Sequence, residues 1–512
     1  MKNFLKRSYK IYRIIGFLFI LELIVLFYHS GIIEGLDQRA DKLKKYATVL
    51  KDDETILPGD FYDRNGELLV ETSLKTIIEI DKNGNEKNKL AKTTVYKDGK
   101  AYSQLIGYTG SHTVDLSTKD IKNVVGSRAD YRLMAFLDED YWGKNGLYTT
   151  VGIHGTKGQS ATLTLEHNLQ LEVYHTLKKQ MNESLECGSA VVMDAKTGEI
   201  LSMVSFPTYD FNHLSVAIEE MKKAERETKL EPGYPITYKR SIAPGSIFKI
   251  LMAVSLIDHN MENFTVTDTS FMVNGWKCKN AYTSYGDNIT YYEGIERSSN
   301  VFFAQAALAL GTDRLNETAE KFMLCKDNSY LSLNFGNMQY HWDLNVEKDI
   351  LAQTGFGQGK VELTTVHAAM ITQAIANDGV MMKPYLVQKL TDANGTVVYT
   401  EKPKRLSKAT SKNTADKVTR AMLSAARYSS IHYKGLKDTA EIFEKYQIAG
   451  KTGTAQTGDN KDSNNAWFIS FAPADKPQYV VVVNQCKTKK AGYKMMITAA
   501  SIYKYLFEKW QQ

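Results

Sequence analysis

Two apolar hairpin patterns, far apart in the chain, constrain the fold more than any other feature. The first is GSAVVMDAKTGEILSMVSFP at 188–207, and the second combines AWFISFAP (466–473) with QYVVVVNQ (478–485). Continuous apolar runs bounded by turn residues are typical of buried strands. Long helical patterns, among them 301–311 and 363–377, lie between the hairpins. We therefore predict an α+β fold, in which strands from both ends of one domain share an antiparallel sheet.

The N-terminus has the pattern of a membrane anchor. Basic residues up to Arg13 precede IIGFLFILELIVLFY at 14–28, which only Glu22 interrupts. A bilayer-spanning helix needs about 20 residues, but Ile11 and Tyr12 extend the run and Arg13 can reach the headgroups. Because FYHSGIIEG lacks a small-residue cleavage site, a retained anchor is favoured over a cleaved signal peptide. The positive-inside rule then predicts a cytoplasmic N-terminus and an extracytoplasmic remainder.

The length of 512 residues is too great for one ordinary core, so several domains are expected. We predict a cytoplasmic tail and anchor at 1–30, followed by a polar, strand-rich segment at 31–160 that contains no constellation of catalytic residues. A further domain is predicted at 161–512, entered through a helix at 164–181 and closed by an amphipathic helix at 493–510. The net charge of +6 comes without any basic stretch interleaved with aromatic residues, which argues against a nucleic-acid partner.

Cysteine and histidine residues show no metal-binding pattern. The four cysteines are far apart and contain no CxxC pair, and none of the ten histidines forms an HExxH motif. We expect the cysteines to be packed thiols, and their disulfide state stays open at this point. They are Cys187, Cys278, Cys325 and Cys486.

Lys249 occurs in an apolar helical pattern, where burying a charged side chain costs free energy. In SIAPGSIFKILMAVSLIDH (241–259), the helical pattern after Gly245 is apolar on every face, as in a buried helix. Burying a charged Lys249 costs several kcal/mol unless it is paired or loses its proton. Ser246 precedes it by three residues and so shares its helix face. A neutral amine beside a hydroxyl is a general base beside a nucleophile.

Two companion motifs follow this pair, and two of the three motifs also have a second copy. Ser298, Ser299 and Asn300 form an SxN turn before the helix at 301, and KTGT occupies 451–454. A second SxxK, Ser501 with Lys504, is expected on the solvated face of the terminal helix. The second KTG, at 196–198, suits a hairpin turn for conformational reasons alone. GFGQGK (355–360) fails the spacing of a phosphate-binding loop.

The ordered series SxxK, SxN and KTGT resembles the active-site-serine, penicillin-recognising superfamily. Further stretches extend the resemblance to the membrane-anchored class B penicillin-binding proteins over nearly the whole chain. They include YDRNGELL (62–69), LTLEHNLQ (163–170), 191–212, and GFGQGKVELTTVHAAM (355–370). The resemblance implies a transpeptidase domain with a central antiparallel sheet, flanking helices and an all-helical lobe, preceded by a β-rich pedestal and one transmembrane helix.

The resemblance also implies catalytic roles. Ser246 attacks the carbonyl of the penultimate D-Ala of a peptidoglycan stem peptide, and Lys249 takes its proton. Ser298 relays a proton to the leaving D-Ala, and Asn300 holds Lys249 and the substrate amide. Lys451 keeps a positive charge near Ser298. The acyl group then passes to an amine of a neighbouring stem, and the resemblance implies no metal or cofactor.

The substrate-binding residues implied in the same way are Thr452, Gly453 and Thr454. The two threonines bind the terminal carboxylate, and the backbone N–H groups of Ser246 and Thr454 form an oxyanion hole. The implied partners are stem peptides, β-lactams as covalent inhibitors, the cytoplasmic membrane and a polytopic glycan polymerase. A D,D-carboxypeptidase, a β-lactamase and a non-catalytic β-lactam sensor or scaffold remain alternatives, and a role in elongation, division or sporulation is left open.

Overall fold

The computed structural model describes residues 59–80, 84, 86–106, 159–181, 187–228, 235–281, 284–324, 341–392, 394–457 and 463–510. The predicted anchor at 14–28 and much of the predicted pedestal lie outside these described residues. Within them, no helix combines the length and the apolar character needed to cross a bilayer.

Strands occur along the whole of the described part and vary from two residues to thirteen. They are β1 (Phe61–Tyr62), β2 (Leu68–Ile80), β3 (Glu86–Tyr96), β4 (Ser160–Leu163), β5 (Cys187–Asp194), β6 (Ile200–Phe206), β7 (Phe271–Val273), β8 (Trp276–Cys278), β9 (His341–Trp342), β10 (Val361–Glu362), β11 (Val380–Met382), β12 (Val387–Thr391), β13 (Val397–Thr400), β14 (Arg405–Lys408), β15 (Ala449–Gln456), β16 (Asn464–Ala472) and β17 (Tyr479–Thr488).

The α-helices of the same ranges include those that the sequence patterns predicted. They are α1 (Gly99–Ile106), α2 (His167–Lys178), α3 (Leu214–Thr228), α4 (Lys249–Asp258), α5 (Tyr291–Glu296), α6 (Asn300–Lys321), α7 (Lys348–Thr354), α8 (Thr365–Ala376), α9 (Lys412–His432), α10 (Lys437–Lys445) and α11 (Met495–Glu508). The predicted helices at 164–181, 301–311, 363–377 and 493–510 correspond to α2, α6, α8 and α11.

The central sheet has five antiparallel strands in the order β15-β16-β17-β5-β6. Both predicted hairpins are therefore confirmed, and β17 pairs with β5 to join them. Every residue of β6 is buried, as is nearly every residue of β5 and β17, because helices cover both faces. This arrangement leaves β15 as an edge strand of the sheet.

A second sheet joins the two predicted domains. Its order is β13-β12-β4-β1-β2-β3, so β4, which begins at residue 160, pairs with β1 from the earlier part of the chain and with β12 from the later part. The segment DRNGE (63–67) forms the turn between β1 and β2, where Asp63 Oδ1 accepts hydrogen bonds from the backbone of Asn65 and Glu67, each at 2.8 Å. The domain boundary at 160 stays a prediction.

The cysteines depart from the expectation of packed thiols. Cys187 on β5 lies directly opposite Cys486 on β17, with 5.3 Å between their Cα atoms, and the two form a disulfide. The expectation was wrong for this pair, because the pairing register of distant strands brings them together and their spacing in sequence does not reveal it. Cys278 is a buried free thiol, as expected. Cys325 lies outside the described residues.

Candidate active site

The serine and lysine of the first SxxK motif lie at the start of a buried helix. Gly245–Phe248 form one turn of 3₁₀-helix, which continues directly into α4. Ser246 is half-buried on this turn, whereas Lys249 is fully buried, with 0% of its surface exposed. The predicted buried helix is therefore confirmed, with its lysine in the first turn.

Close backbone packing explains the glycines of PGS and GFGQG. The Gly245 N–H donates to Gly357 O at 2.8 Å, and both glycines have positive φ, +57° and +78°. A Cβ on Gly357 would lie 2.0 Å from Gly245 O, and one on Gly245 would lie 2.9 Å from the Thr454 carbonyl. Glycine is needed where backbones approach this closely. The serine turn is thus packed between the GFGQG segment on one hand and β15 on the other.

Lys249 is held by the SxN turn. Its Nζ donates to Ser298 O at 2.7 Å and to Asn300 Oδ1 at 2.8 Å, and lies 3.2 Å from Ser298 Oγ. Two N–H groups of a neutral amine can serve the two carbonyl oxygens, which leaves the lone pair to accept from a hydroxyl. The predicted contact between Asn300 and Lys249 is therefore present, in a geometry that suits a neutral lysine.

Lys451 contacts the same Ser298 hydroxyl as Lys249. Its Nζ lies 3.0 Å from Ser298 Oγ and donates to Thr452 O at 3.2 Å. The Ser298 hydroxyl therefore lies between two buried lysines. Ser298 itself adopts a left-handed conformation with φ of 62°, which is uncommon for a non-glycine residue and frequent at functional turns.

Burial lowers the proton affinity of both lysines. It is the main reason that the pKa of Lys249 falls well below its ordinary value, and the charge of Lys451 lowers it further. Cys278 and Asp268 act in the opposite direction on this pKa. Burial lowers the pKa of Lys451 to about 7. Two amines with lowered pKa values on either side of one hydroxyl can serve as proton donor and proton acceptor near neutral pH.

The predicted substrate-binding residues lie along β15. Thr452 is half-buried, and Thr454 is exposed beside the serine turn, with its hydroxyl accepting from the Gly492 N–H at 2.9 Å. Gly453 faces the turn, where a Cβ would come within 2.7 Å of Pro244 O. The serine turn and the edge strand β15 are thus packed side by side, which places Thr452 and Thr454 next to the turn that carries Ser246.

The duplicate motifs lie elsewhere. Lys196 lies in the turn between β5 and β6, where Asp194 Oδ1 accepts from its N–H at 2.8 Å, and its Nζ donates to Ala376 O at 3.3 Å. Strands β16 and β17 separate β5 from β15. On α11, Lys504 is exposed and Ser501 donates to Ile497 O within its own helix, as expected for a helix surface.

Sequence reasoning missed a buried polar cluster behind the SxN turn. Asp268 and Asn280 hydrogen-bond to each other, with Asn280 Nδ2 donating to Asp268 Oδ2 at 2.6 Å. Ser299 donates to Asp268 Oδ1, and Asn280 Oδ1 accepts from the Asn300 N–H. Asp268, Asn280 and Ser299 belong to no common sequence motif. The residues around Asp268 in the sequence do not distinguish it from an aspartate on the protein surface. Among the described residues, no group of three or more His, Cys, Asp or Glu side chains could hold a metal ion.

Residues 188–508, which contain all of these site residues, match the family described as the penicillin binding protein transpeptidase domain. The chain belongs to this family. The resemblance inferred from SxxK, SxN and KTGT is thereby confirmed, and the matched region begins at β5, one residue after Cys187.

Named relatives agree with this membership in the penicillin-binding protein family. The peptidoglycan D,D-transpeptidase PbpA of Mycolicibacterium smegmatis is 26% identical over 404 residues, covering 76% of this chain and 78% of the relative. PbpA of Mycobacterium tuberculosis is 29% identical, over 58% of this chain and 61% of the relative. Penicillin-binding protein 3 of Bacillus subtilis is 25% identical, over 67% of this chain and 50% of the relative.

Solved structures of penicillin-binding proteins share the fold. The ceftriaxone acyl-enzyme complex of penicillin-binding protein A from M. tuberculosis has a TM-score of 0.70 at 21% identity, covering 89% of this chain and 100% of that one. The D,D-transpeptidase domain of a peptidoglycan glycosyltransferase from Eggerthella lenta has a TM-score of 0.65 at 24% identity, covering 89% and 99%.

Proposed function

We propose that this chain is a serine-type peptidoglycan D,D-transpeptidase, which crosslinks stem peptides through an acyl-enzyme on Ser246 and is acylated there by β-lactams. The observation that carries the proposal is the position of the Ser298 hydroxyl between Lys249 and Lys451, beside the serine turn of a penicillin-binding protein transpeptidase domain. The names of the relatives and the acyl-enzyme complex of a structural neighbour support it.

The first half of the proposed reaction forms the acyl-enzyme. Ser246 Oγ attacks the carbonyl of the penultimate D-Ala, and its proton passes to the neutral Lys249 amine. The oxyanion that forms is stabilised by the N–H groups of Ser246 and Thr454, each typically contributing about 2.7–4 kcal/mol. The C–N bond then breaks, and Ser298 passes a proton from the lysine side to the leaving D-Ala amine. Ser246 is left as an ester of the shortened stem peptide.

The second half reverses the proton movements. An acceptor amine attacks the ester, loses a proton through the same groups, and displaces Ser246, which recovers its hydroxyl proton. Thr452 and Thr454 bind the terminal carboxylate in the first half, and this carboxylate leaves as part of the released D-Ala. When it is protonated, Lys451 stabilises this carboxylate and the Ser298 hydroxyl through its positive charge. Because its pKa is lowered to about 7, the fraction of Lys451 that carries this charge depends on the working pH.

We expect a fluorescent penicillin to label the purified chain at Ser246 and at no other residue. Mass spectrometry of the acylated peptide locates the label, and Ser246→Ala should abolish it. Incubation with a pentapeptide stem and an acceptor amine then separates the alternatives: crosslinked dimer indicates a transpeptidase, and D-Ala release without dimer a carboxypeptidase. Rapid penicillin turnover would indicate a β-lactamase. Absence of labelling in the folded native chain would contradict the proposal.

We infer that the catalytic domain lies outside the cytoplasmic membrane, anchored by the apolar segment 14–28. The basic residues before this segment support the orientation. The disulfide between Cys187 and Cys486 also supports it, since such bonds persist in oxidising compartments and are rare in the cytosol. An anchored transpeptidase of this kind would work beside a polytopic glycan polymerase, which supplies the strands to be crosslinked.

Protease treatment of intact spheroplasts tests the topology. We expect digestion of the chain beyond the anchor, detected with an antibody against the C-terminal helix, because the positive-inside rule places that part outside. A cytoplasmic marker protein should survive the same treatment. If the C-terminal domain is protected until the membrane is permeabilised, the proposed orientation is wrong.

A further inference from the structure

The segment between α4 and α5 forms a small brace beside the SxN turn. Its ends pair through a bridge between Val266 and Ile289, and the β7–β8 hairpin lies between them. Cys278, at the end of β8, packs with Val301 and Ala304 of α6. The brace therefore contacts the helix that carries Asn300.

A buried carboxylate connects this brace to the turn. Asp268 is only 1% exposed, and its Oδ2 accepts from Asn280 Nδ2 at 2.6 Å and from the Tyr285 N–H at 2.9 Å. Its Oδ1 accepts from the hydroxyl of Ser299, which is completely buried. Ser299 in turn caps α6 by accepting from the Phe302 N–H at 2.9 Å. A buried carboxylate with three donors is rigidly placed, because each lost hydrogen bond would leave a buried polar group unsatisfied.

Asn280 completes the connection at the backbone. Its Oδ1 accepts from the N–H of Asn300 at 2.8 Å and from the N–H of Val301 at 3.1 Å. These are N–H groups of the first turn of α6, which have no partner within their own helix. Asp268 thus fixes the residue before Asn300, and Asn280 fixes Asn300 itself.

We propose that Asp268 and Asn280 are positioning residues, which hold the Ser298–Asn300 turn in place so that Ser298 O and Asn300 Oδ1 keep Lys249 aimed for proton transfer. This inference rests on the proposed acylation of Ser246. The turn needs such support because Ser298 is held at a positive φ of 62°, a conformation that persists only where its surroundings enforce it.

Asp268 also acts on Lys249 through its charge. Three groups affect the pKa of Lys249 in addition to burial. Lys451 on β15 lowers this pKa further, whereas Cys278 on β8 and Asp268 raise it, although burial has the larger effect. Ser298 and Asn300, the direct contacts, are neutral. Removing the negative charge of Asp268 should therefore lower the pKa of Lys249 further, so that the amine becomes neutral at a lower pH.

The test compares Asp268→Asn with Asn280→Ala in the full chain. We expect each variant to reduce the rate of acylation by fluorescent penicillin by roughly tenfold to a hundredfold, since small displacements of catalytic groups have effects of this size. In Asp268→Asn, the midpoint at which the rate rises with pH should also move to lower pH. In Asn280→Ala, which removes no charge, this midpoint should stay where it is in the native chain.

Asp63→Asn is the matched control. Asp63 is completely buried and, like Asp268, accepts from three donors, which here are the backbone N–H groups of Asn65, Glu67 and His167, but it lies in the turn between β1 and β2. Its loss should lower the melting temperature yet leave the acylation rate within about threefold of native, because distant sites act independently.

Three outcomes overturn the inference, and a fourth contradicts the proposed function instead. An Asp268→Asn variant with native rate and native pH midpoint overturns the inference, as does an equal loss of rate in Asp63→Asn. If Asp268→Asn does not fold, Ser299→Ala, which removes one donor to the carboxylate together with the N-cap of α6, is measured instead, and a native rate there also overturns the inference. Failure of the native chain to be acylated at Ser246 would instead contradict the proposed function.

Discussion

Replacing Lys249 by arginine is expected to leave the fold intact and to reduce acylation of Ser246 by several orders of magnitude. A guanidinium cannot give up its proton in a protein, so it cannot accept one from the serine hydroxyl. Lys249 can accept this proton, because complete burial and the charge of Lys451 hold its pKa well below the ordinary range. The measurement is the rate constant of penicillin acylation, with the melting temperature as the check on folding.

Lys239→Arg is the control for this substitution. Lys239 is another buried lysine, 7% exposed, whose pKa is lowered by burial, and it takes no part in the contacts around Ser298. It should tolerate arginine with little change in acylation. A folded Lys249→Arg variant that acylates at nearly the native rate would show that Lys249 acts only as a charge, and Ser298 would become the next candidate for the proton acceptor.

The native pH profile provides an independent check on the same base. Acylation should be weak at low pH, where Lys249 is protonated, and should rise with pH through a midpoint well below the ordinary lysine value of 10.5. If protonated Lys451 is also required, the rate should fall again above about pH 7, because burial lowers its pKa to about 7. A profile that rises only near the ordinary lysine value would contradict the buried-base mechanism.

Lys451→Ala should impair acylation by about a hundredfold or more, since transition-state charge contacts in water-excluded sites have effects of this size. The substitution removes the amine that contacts Ser298 Oγ at 3.0 Å. It should also move the rising limb of the pH profile to higher pH, because the charge of Lys451 lowers the pKa of Lys249 and its loss raises that pKa.

The other KTG lysine supplies the matched control. Lys196→Ala removes a lysine from the same tripeptide, but in the turn between β5 and β6, where its Nζ donates to a helix carbonyl. Acylation should stay within a few-fold of native, as for a site distant from the chemistry. Equal losses at Lys196 and Lys451 would mean that the wrong KTG had been assigned to the site.

Local patterns in the chain were sufficient to predict the elements that carry the site. The apolar runs of β5, β6, β16 and β17 extend over consecutive residues, and so does the all-round apolar helix α4. The serine and lysine of SxxK are three residues apart, so one helical turn brings them together whatever surrounds it. The order of the three motifs was sufficient to identify the family.

Only the tertiary structure decided which distant residues meet. Lys451 contacts a serine 153 residues away, and Cys187 pairs with a cysteine 299 residues away. Asp268 and Asn280 belong to the site only because the brace packs against α6. Such contacts depend on strand register and helix packing, which many residues determine jointly and no local pattern records. The same holds for the chemistry of Lys249, since the sequence predicted its burial, whereas the packed structure determined which neighbours set its pKa.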